Sequence, residues 1–122
     1  MYSFNKDIGN LGESIAEEYL TKMGYIVLEK NFRSKFGEID IIGKDGNYIA
    51  FIEVKARYGS LYGTPAESIT TLKQNKIYKT AQLYIMKKRI AKFNFRFDVI
   101  EVILNTKNND HSIRLIKDAF QI

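Results

Sequence analysis

The sequence predicts a mixed α/β protein: a five-stranded sheet flanked by helices, in the order helix, three strands, helix, two strands. Three observations carry this. Apolar residues recur at three- and four-residue steps over 8–23 and again over 69–88. Five runs rich in β-branched and aromatic residues are separated by glycine, asparagine and charged breaks. A long helix lies between the third and fourth of those runs, and a connection of that kind joins parallel strands with a right-handed crossover, whereas short links make an antiparallel meander. At 122 residues the chain is expected to be one domain, 1–122, large enough for a hydrophobic core.

The first helix is read from Ile8 to Met23. Ile8, Leu11, Ile15, Ala16, Tyr19, Leu20 and Met23 form its apolar stripe, Gly24 ends it, and Asn10 or Asp7 can cap its start. Glu13 falls just beyond the stripe, beside Ala16 and Leu20. It either looks into a groove or is an acid favoured by the helix dipole. Tyr25 to Phe32 reads as the first strand, and Arg33 to Gly37 as a basic loop whose Arg33 and Lys35 can meet phosphates or simply be solvated.

The stretch around which the chain is organised follows. Gly37-Glu38-Ile39-Asp40-Ile41-Ile42 and Tyr48-Ile49-Ala50-Phe51-Ile52-Glu53-Val54-Lys55 flank Gly43-Lys44-Asp45-Gly46-Asn47, and Asp-Gly between two such runs is a strong hairpin signal. With Asp45-Gly46 as a two-residue turn, Lys44 faces Asn47, Asp40 faces Phe51 and Glu38 faces Glu53. Strand alternation then places Glu38, Asp40, Glu53 and Lys55 on one face, together with Ile49 and Phe51. Asp40 and Glu53 become diagonal neighbours, roughly 7–8 Å apart at the backbone, close enough for their carboxylates to converge on one ion. A one-residue slip would send them to opposite faces. An exposed, solvated strand face is the plainer account of these charges, but ionised carboxylates at the end of an apolar floor with a lysine beside them suit a divalent cation and a phosphate.

Ala56 to Pro65, with two glycines, a proline and tyrosines, reads as a surface loop in which Arg57 is placed to meet phosphate. Ile69 to Lys88 is the second helix, with Ile69, Leu72, Ile77, Ala81, Tyr84 and Ile85 as its stripe. Lys73, Lys76, Lys79, Lys87 and Lys88 occupy its other surface with few acids between them, either a solvated face or a polyanion footprint. Lys73 lies nearest the site. Phe93 to Leu104 reads as a central strand whose lone Asp98 is expected to be satisfied by Arg96 or a backbone group. Asn105 to Asp110 is a polar loop, and His111 to Lys117 an edge strand with Ala119 and Phe120 packing back.

Composition narrows the chemistry. The chain has no cysteine and one histidine, His111, which excludes disulfides, thiolate zinc sites and cysteine nucleophiles. Any metal should be a hard cation on oxygen ligands, Mg²⁺ or Mn²⁺. Nineteen basic against fourteen acidic residues give a net charge of +5, which favours polyanions without requiring them. Met1 to Asp7 shows no signal-peptide pattern and no apolar run is long enough to span a bilayer, so a cytoplasmic protein without a membrane partner is expected.

Gly12-Glu13, Asn31-x-Arg33, Gly37-Glu38-Ile39-Asp40, Phe51-Ile52-Glu53-Val54-Lys55 and Phe97-Asp98-Val99-Ile100 follow one another along nearly the whole chain. As an ordered set they resemble the PD-(D/E)XK nuclease superfamily with its restriction-endonuclease-like fold, and more closely the small bacterial YraN-type family related to Holliday-junction resolvases. The resemblance implies that Asp40 and Glu53 ligate Mg²⁺ with the Val54 carbonyl, that Glu13 completes the metal site, and that Lys55 orients the attacking water or stabilises developing charge. It implies a Mg²⁺-dependent endonuclease acting on DNA, branched DNA included; Arg33, Lys35, Arg57, Lys73 and Lys76, read from their own positions, are the candidate nucleic-acid contacts. A resolvase would need two sites and hence a homodimer. A nucleic-acid-binding protein of the same fold without cleavage, or an interaction subunit of a DNA-processing complex, are the other expectations to weigh.

Overall fold

Five strands lie side by side in chain order in the computed structural model, which describes residues 2–59, 69–105 and 110–121. The elements are α1 (Tyr2–Lys22), β1 (Ile26–Arg33), β2 (Glu38–Asp45), β3 (Tyr48–Tyr58), α2 (Thr71–Lys88), β4 (Asn94–Leu104) and β5 (His111–Phe120). The sheet is mixed: β1, β2 and β3 form the antiparallel meander, β4 runs parallel to β3 across α2, and β5 returns antiparallel to β4. α1 covers one face, burying Ala16 and Leu20 against Ile41, Ile52, Ile100 and Val102. α2 covers the other, burying Ile77, Ala81 and Tyr84 against Ile42, Ile49 and Phe51.

Several expected boundaries move. α1 begins at Tyr2, so Asp7 and Asn10 lie inside it and not at its start. Thr70 caps α2, its hydroxyl accepting the Lys73 N–H at 3.1 Å, and Ile69 is buried just ahead of the helix. Leu11 and Leu72, expected in the buried stripes, are exposed. Each stands five positions before a buried residue, Ala16 or Ile77, which is about 140° round the helix. Met23 is exposed because the helix has ended, and Gly24 turns the chain at φ +98°. β3 does not stop at Lys55: the parallel ladder carries Ala56, Arg57 and Tyr58 opposite Val102, Ile103 and Leu104. The rest of the expected glycine–tyrosine loop, 60–65, and the middle of the 105–110 loop lie outside the described residues.

The hairpin register is the main correction. Asp45 pairs with Tyr48, so Gly46 and Asn47 are the turn residues, and Lys44 faces Ile49 rather than Asn47. Gly46 adopts φ +61°, which only glycine takes freely at the first central position of such a turn. The shift from the expected pairing is two residues. An even shift leaves side chains on their faces, so the patterning survives over the paired residues Ile41 to Asp45 and Tyr48 to Ile52.

The charge buried in β4 is fully satisfied. Asp98 is 0% exposed; it accepts the Arg96 Nε–H at 2.9 Å, the Tyr25 hydroxyl at 3.0 Å and the Asp118 backbone N–H at 2.9 Å. Arg96 donates onward to Asp45 at 2.7 Å, tying the hairpin end to β4. Both expected partners of Asp98, Arg96 and a backbone group, are therefore present.

Candidate active site

The β2–β3 ladder ends at Ile41↔Ile52. Continued by one pair, its register sets Asp40 directly opposite Glu53, closer than the diagonal relation first expected. Here the strands part. Ile41 packs under α1 whereas Ile39 and Ile42 both pack under α2, so the alternation of β2 breaks at Asp40. The Val54 N–H, left without a ladder acceptor, is taken instead by Oδ2 of Asp40 at 2.8 Å. A side-chain carboxylate thus replaces a backbone carbonyl and is held in place by doing so.

Asp40 and Glu53 lie within hydrogen-bonding reach of each other. Burial first, then the Glu53 charge beside it, pushes the Asp40 carboxyl up to about 8, against the Val54 hydrogen bond, which works in the other direction. Glu53 itself is only 7% exposed, and its Oε2 meets two ammonium groups: Lys73 Nζ at 3.1 Å and Lys55 Nζ at 3.7 Å. Lys55 comes from the same strand face two residues on; Lys73 is delivered from the first turn of α2.

Glu13 lines the same cavity, of about 550 Å³, together with Asp40, Glu53, Val54, Lys55 and Arg57. It stands back from the carboxylate pair: among the described residues no three acidic or histidine side chains gather closely enough to hold an ion between them. Burial raises its proton affinity, and the Glu38 and Glu53 charges add to this, against a hydrogen bond with the Asn31 side chain. Asn31 takes φ +54°, a conformation asparagine tolerates better than most residues, in the middle of β1. α1 brings Glu13 this near because Gly12 has no side chain; a Cβ there would meet Ala56 Cβ at 2.3 Å.

The five cations expected to meet nucleic acid divide. Arg33 pairs with Glu38 at 2.5 Å, Arg57 pairs with the buried Glu101, and Lys73 pairs with Glu53. Lys35 lies over the Phe36 ring and Lys76 projects from the exposed face of α2. Glu101 was missed by sequence reasoning. It is 3% exposed, and the available signal was a charged residue inside the apolar run Val99-Ile100-Glu101-Val102. Among the described residues the buried Nε of Arg57 has no hydrogen-bond partner, and Glu101 fixes that guanidinium through Nη2 instead.

Two crowded carboxylates are hard oxygen donors, and such a pair binds a proton avidly for the same reason it would bind a divalent cation; their chemistry suits Mg²⁺ or Mn²⁺ rather than a softer metal.

A mixed sheet whose second and third strands separate to bring two carboxylates and a lysine into one open cleft defines the class: an α/β protein with a paired-acid site at a strand fork. The family described as Uncharacterised protein family UPF0102 matches residues 12–102, and this chain belongs to it. The matched stretch contains Glu13, Asp40, Glu53, Val54, Lys55, Lys73 and Glu101. The chain is 67% identical over 122 residues to a UPF0102 protein of Clostridium kluyveri and 65% identical over 122 residues to one of Clostridium tetani. It is 68% identical over 123 residues to one of Clostridium botulinum, and in all three cases the match covers 100% of both chains. Among the described residues, no helix is long and apolar enough to cross a membrane.

Proposed function

We propose that this protein is a Mg²⁺- or Mn²⁺-dependent endonuclease of restriction-endonuclease-like fold, a cytoplasmic member of the PD-(D/E)XK superfamily that hydrolyses phosphodiester bonds in DNA. The observation that carries the reading is the convergence of Asp40 and Glu53, on neighbouring strands, within hydrogen-bonding reach and with Lys55 alongside. Asp40, Glu53 and the Val54 carbonyl would hold the cation. When bound, the cation would neutralise phosphate oxygens and make water easier to deprotonate. Lys55, 3.7 Å from Glu53, would orient the attacking water or stabilise charge developing on the phosphate. Glu13, set back and of raised proton affinity, is suited to bond a water of the site rather than to ligate directly. Arg57, anchored by Glu101, faces the same cavity and offers its guanidinium to a phosphate next to the one attacked.

The test is incubation with branched, nicked and linear DNA in the presence of Mg²⁺ or Mn²⁺. The wild type should cleave at least one of these substrates, and Asp40→Asn/Glu53→Gln should cleave it on the order of a hundredfold more slowly or worse, as expected when such electrostatic groups are removed. Equal cleavage by wild type and double mutant on every substrate refutes the nuclease reading. Cleavage confined to branched DNA would point to a two-site homodimer, with the mass of the active species as the check.

A further inference from the structure

Lys73 does something in this structure that no other lysine of α2 does. Its ammonium reaches off the helix to Oε2 of Glu53 at 3.1 Å, whereas Lys76, Lys79, Lys87 and Lys88 have no carboxylate within salt-bridge distance among the described residues. The position is a poor one for a lysine. It is the third residue of α2, whose backbone N–H is already bound by the Thr70 cap, and a cation in the first turn opposes the helix dipole. An acid or glutamine is the usual occupant there. The contact with Glu53 offsets that cost.

Glu53 needs the contact. A carboxylate this buried is seldom found without a cationic partner, and Asp40 beside it cannot be one. Lys55 is held by strand register at 3.7 Å, close to Glu53 on its own strand. Lys73 approaches from a separate element on a flexible four-carbon stem and remains 47% exposed, free to leave without moving any backbone.

We infer that Lys73 is an exchangeable counter-ion: it competes with a divalent cation for Glu53 and, once displaced, binds the phosphate of the nucleic acid at the rim of the cleft. The inference rests on the metal site proposed above. Two positive charges of the cation and one of the ammonium cannot share one carboxylate oxygen at contact distance without strong repulsion. Each cation that binds therefore releases an ammonium group beside the place where a phosphate must dock. By linkage, metal and polyanion would each strengthen the binding of the other through this side chain.

Calorimetric titration with Mn²⁺ separates the inference from the reading beneath it. Wild type should bind Mn²⁺ and Asp40→Asn should not; if wild type does not bind, or Asp40→Asn binds equally well, the metal site itself is wrong. Given a functioning site, Lys73→Gln should bind Mn²⁺ about fivefold more tightly than wild type, since a competing half-exposed ion pair has been removed. Lys73→Arg, which keeps the charge, should match wild type. Glutamine suits the third helical position, so loss of fold is not the expected consequence of the substitution. In a second arm, affinity for a short DNA duplex is measured with and without Ca²⁺. The gain that Ca²⁺ gives wild type should shrink severalfold in Lys73→Gln. Unchanged or weaker Mn²⁺ binding by Lys73→Gln overturns the competition, and an undiminished Ca²⁺ gain overturns the transfer to phosphate.

Discussion

Asp40 holds the Val54 N–H at 2.8 Å while facing Glu53 across the fork, so one carboxyl both fixes the strand geometry and supplies half of the acidic pair. These two tasks have opposite electrostatic consequences, and burial with Glu53 wins: the folded-state value rises from 3.8 to about 8. The protonated acid is therefore the form that folding favours. Its stabilising contribution is complete below the unfolded value and is lost as pH rises through about 8. Asp40→Asn imitates the protonated acid and keeps a carbonyl for the Val54 N–H. Thermal melts of the metal-free proteins should show the variant gaining on wild type between pH 5 and pH 9, by several degrees at the upper end, taking a few degrees per kcal/mol for a domain of this size. Excess Mn²⁺ should restore wild type and leave the variant unmoved. Melting curves that stay parallel across this range would show that folding does not raise the Asp40 carboxyl. The residue types at this point were legible in the sequence, because acids that share a strand face with Ile49 and Phe51 have few uses. Asn31 entered only as part of Asn31-x-Arg33 and Glu101 not at all, since the role of one depends on a backbone conformation of φ +54° and that of the other on a partner 44 residues away.

At the scale of elements, α1 is docked by its Gly12 backbone seated on the Ala56 methyl. Gly12 presses against Ala56 of β3, where a Cβ would lie 2.3 Å from the Ala56 Cβ, and the next residue is Glu13. Gly12→Ala should push α1 off the sheet and cost about 1–3 kcal/mol, as overpacking a tight contact does. Gly9, one turn earlier, has open space where a Cβ would stand, with no atom of the described residues within 4 Å. Gly9→Ala should be neutral or stabilising by up to about 1 kcal/mol through helix propensity. Urea midpoints of the two variants check this; a Gly12→Ala midpoint equal to wild type would mean the helix seats itself elsewhere. Helix periodicity showed that α1 packs on the sheet, but not that its closest approach is at a glycine, which carries no hydrophobic signal. The hairpin errs for a related reason. Asp45-Gly46 and Gly46-Asn47 are both acceptable turn pairs, and the choice is made by the tertiary bond from Arg96 to Asp45, which keeps Asp45 in the strand. Because the two registers differ by an even number, the faces from Ile41 to Asp45 and along β3 were read correctly from the wrong pairing, whereas Ile39 and Glu38 lie beyond the break at Asp40 and were not.

The whole molecule gathers positive charge where β1 turns into β2 beneath α2. Ser34 bonds the buried Thr80 hydroxyl at 2.9 Å, and Gly37 backs onto Lys76, so the turn is fastened to the helix. Lys35 from the turn and Lys79 from α2 lie over the same Phe36 ring, at 5.3 Å and 5.5 Å, which offsets part of their mutual repulsion. None of Lys35, Lys76 and Lys79 has a carboxylate partner among the described residues, whereas Arg33, Arg57, Lys73 and Lys117 each do. A cation already paired releases little when a phosphate replaces its partner, while a free one displaces a counter-ion from the nucleic acid. On the proposed function, the free set should therefore dominate the salt dependence of DNA binding. Replacing Lys35, Lys76 and Lys79 together by alanine should lower the slope of log affinity against log salt by about three, with equal loss on unrelated sequences. Lys117→Ala, whose ammonium is held by Asp45 at 3.0 Å, should leave the slope unchanged. Filter-binding or anisotropy measurements across a salt series decide the matter, and a slope that falls as much for Lys117→Ala as for the triple variant would mean that binding follows net charge rather than this surface.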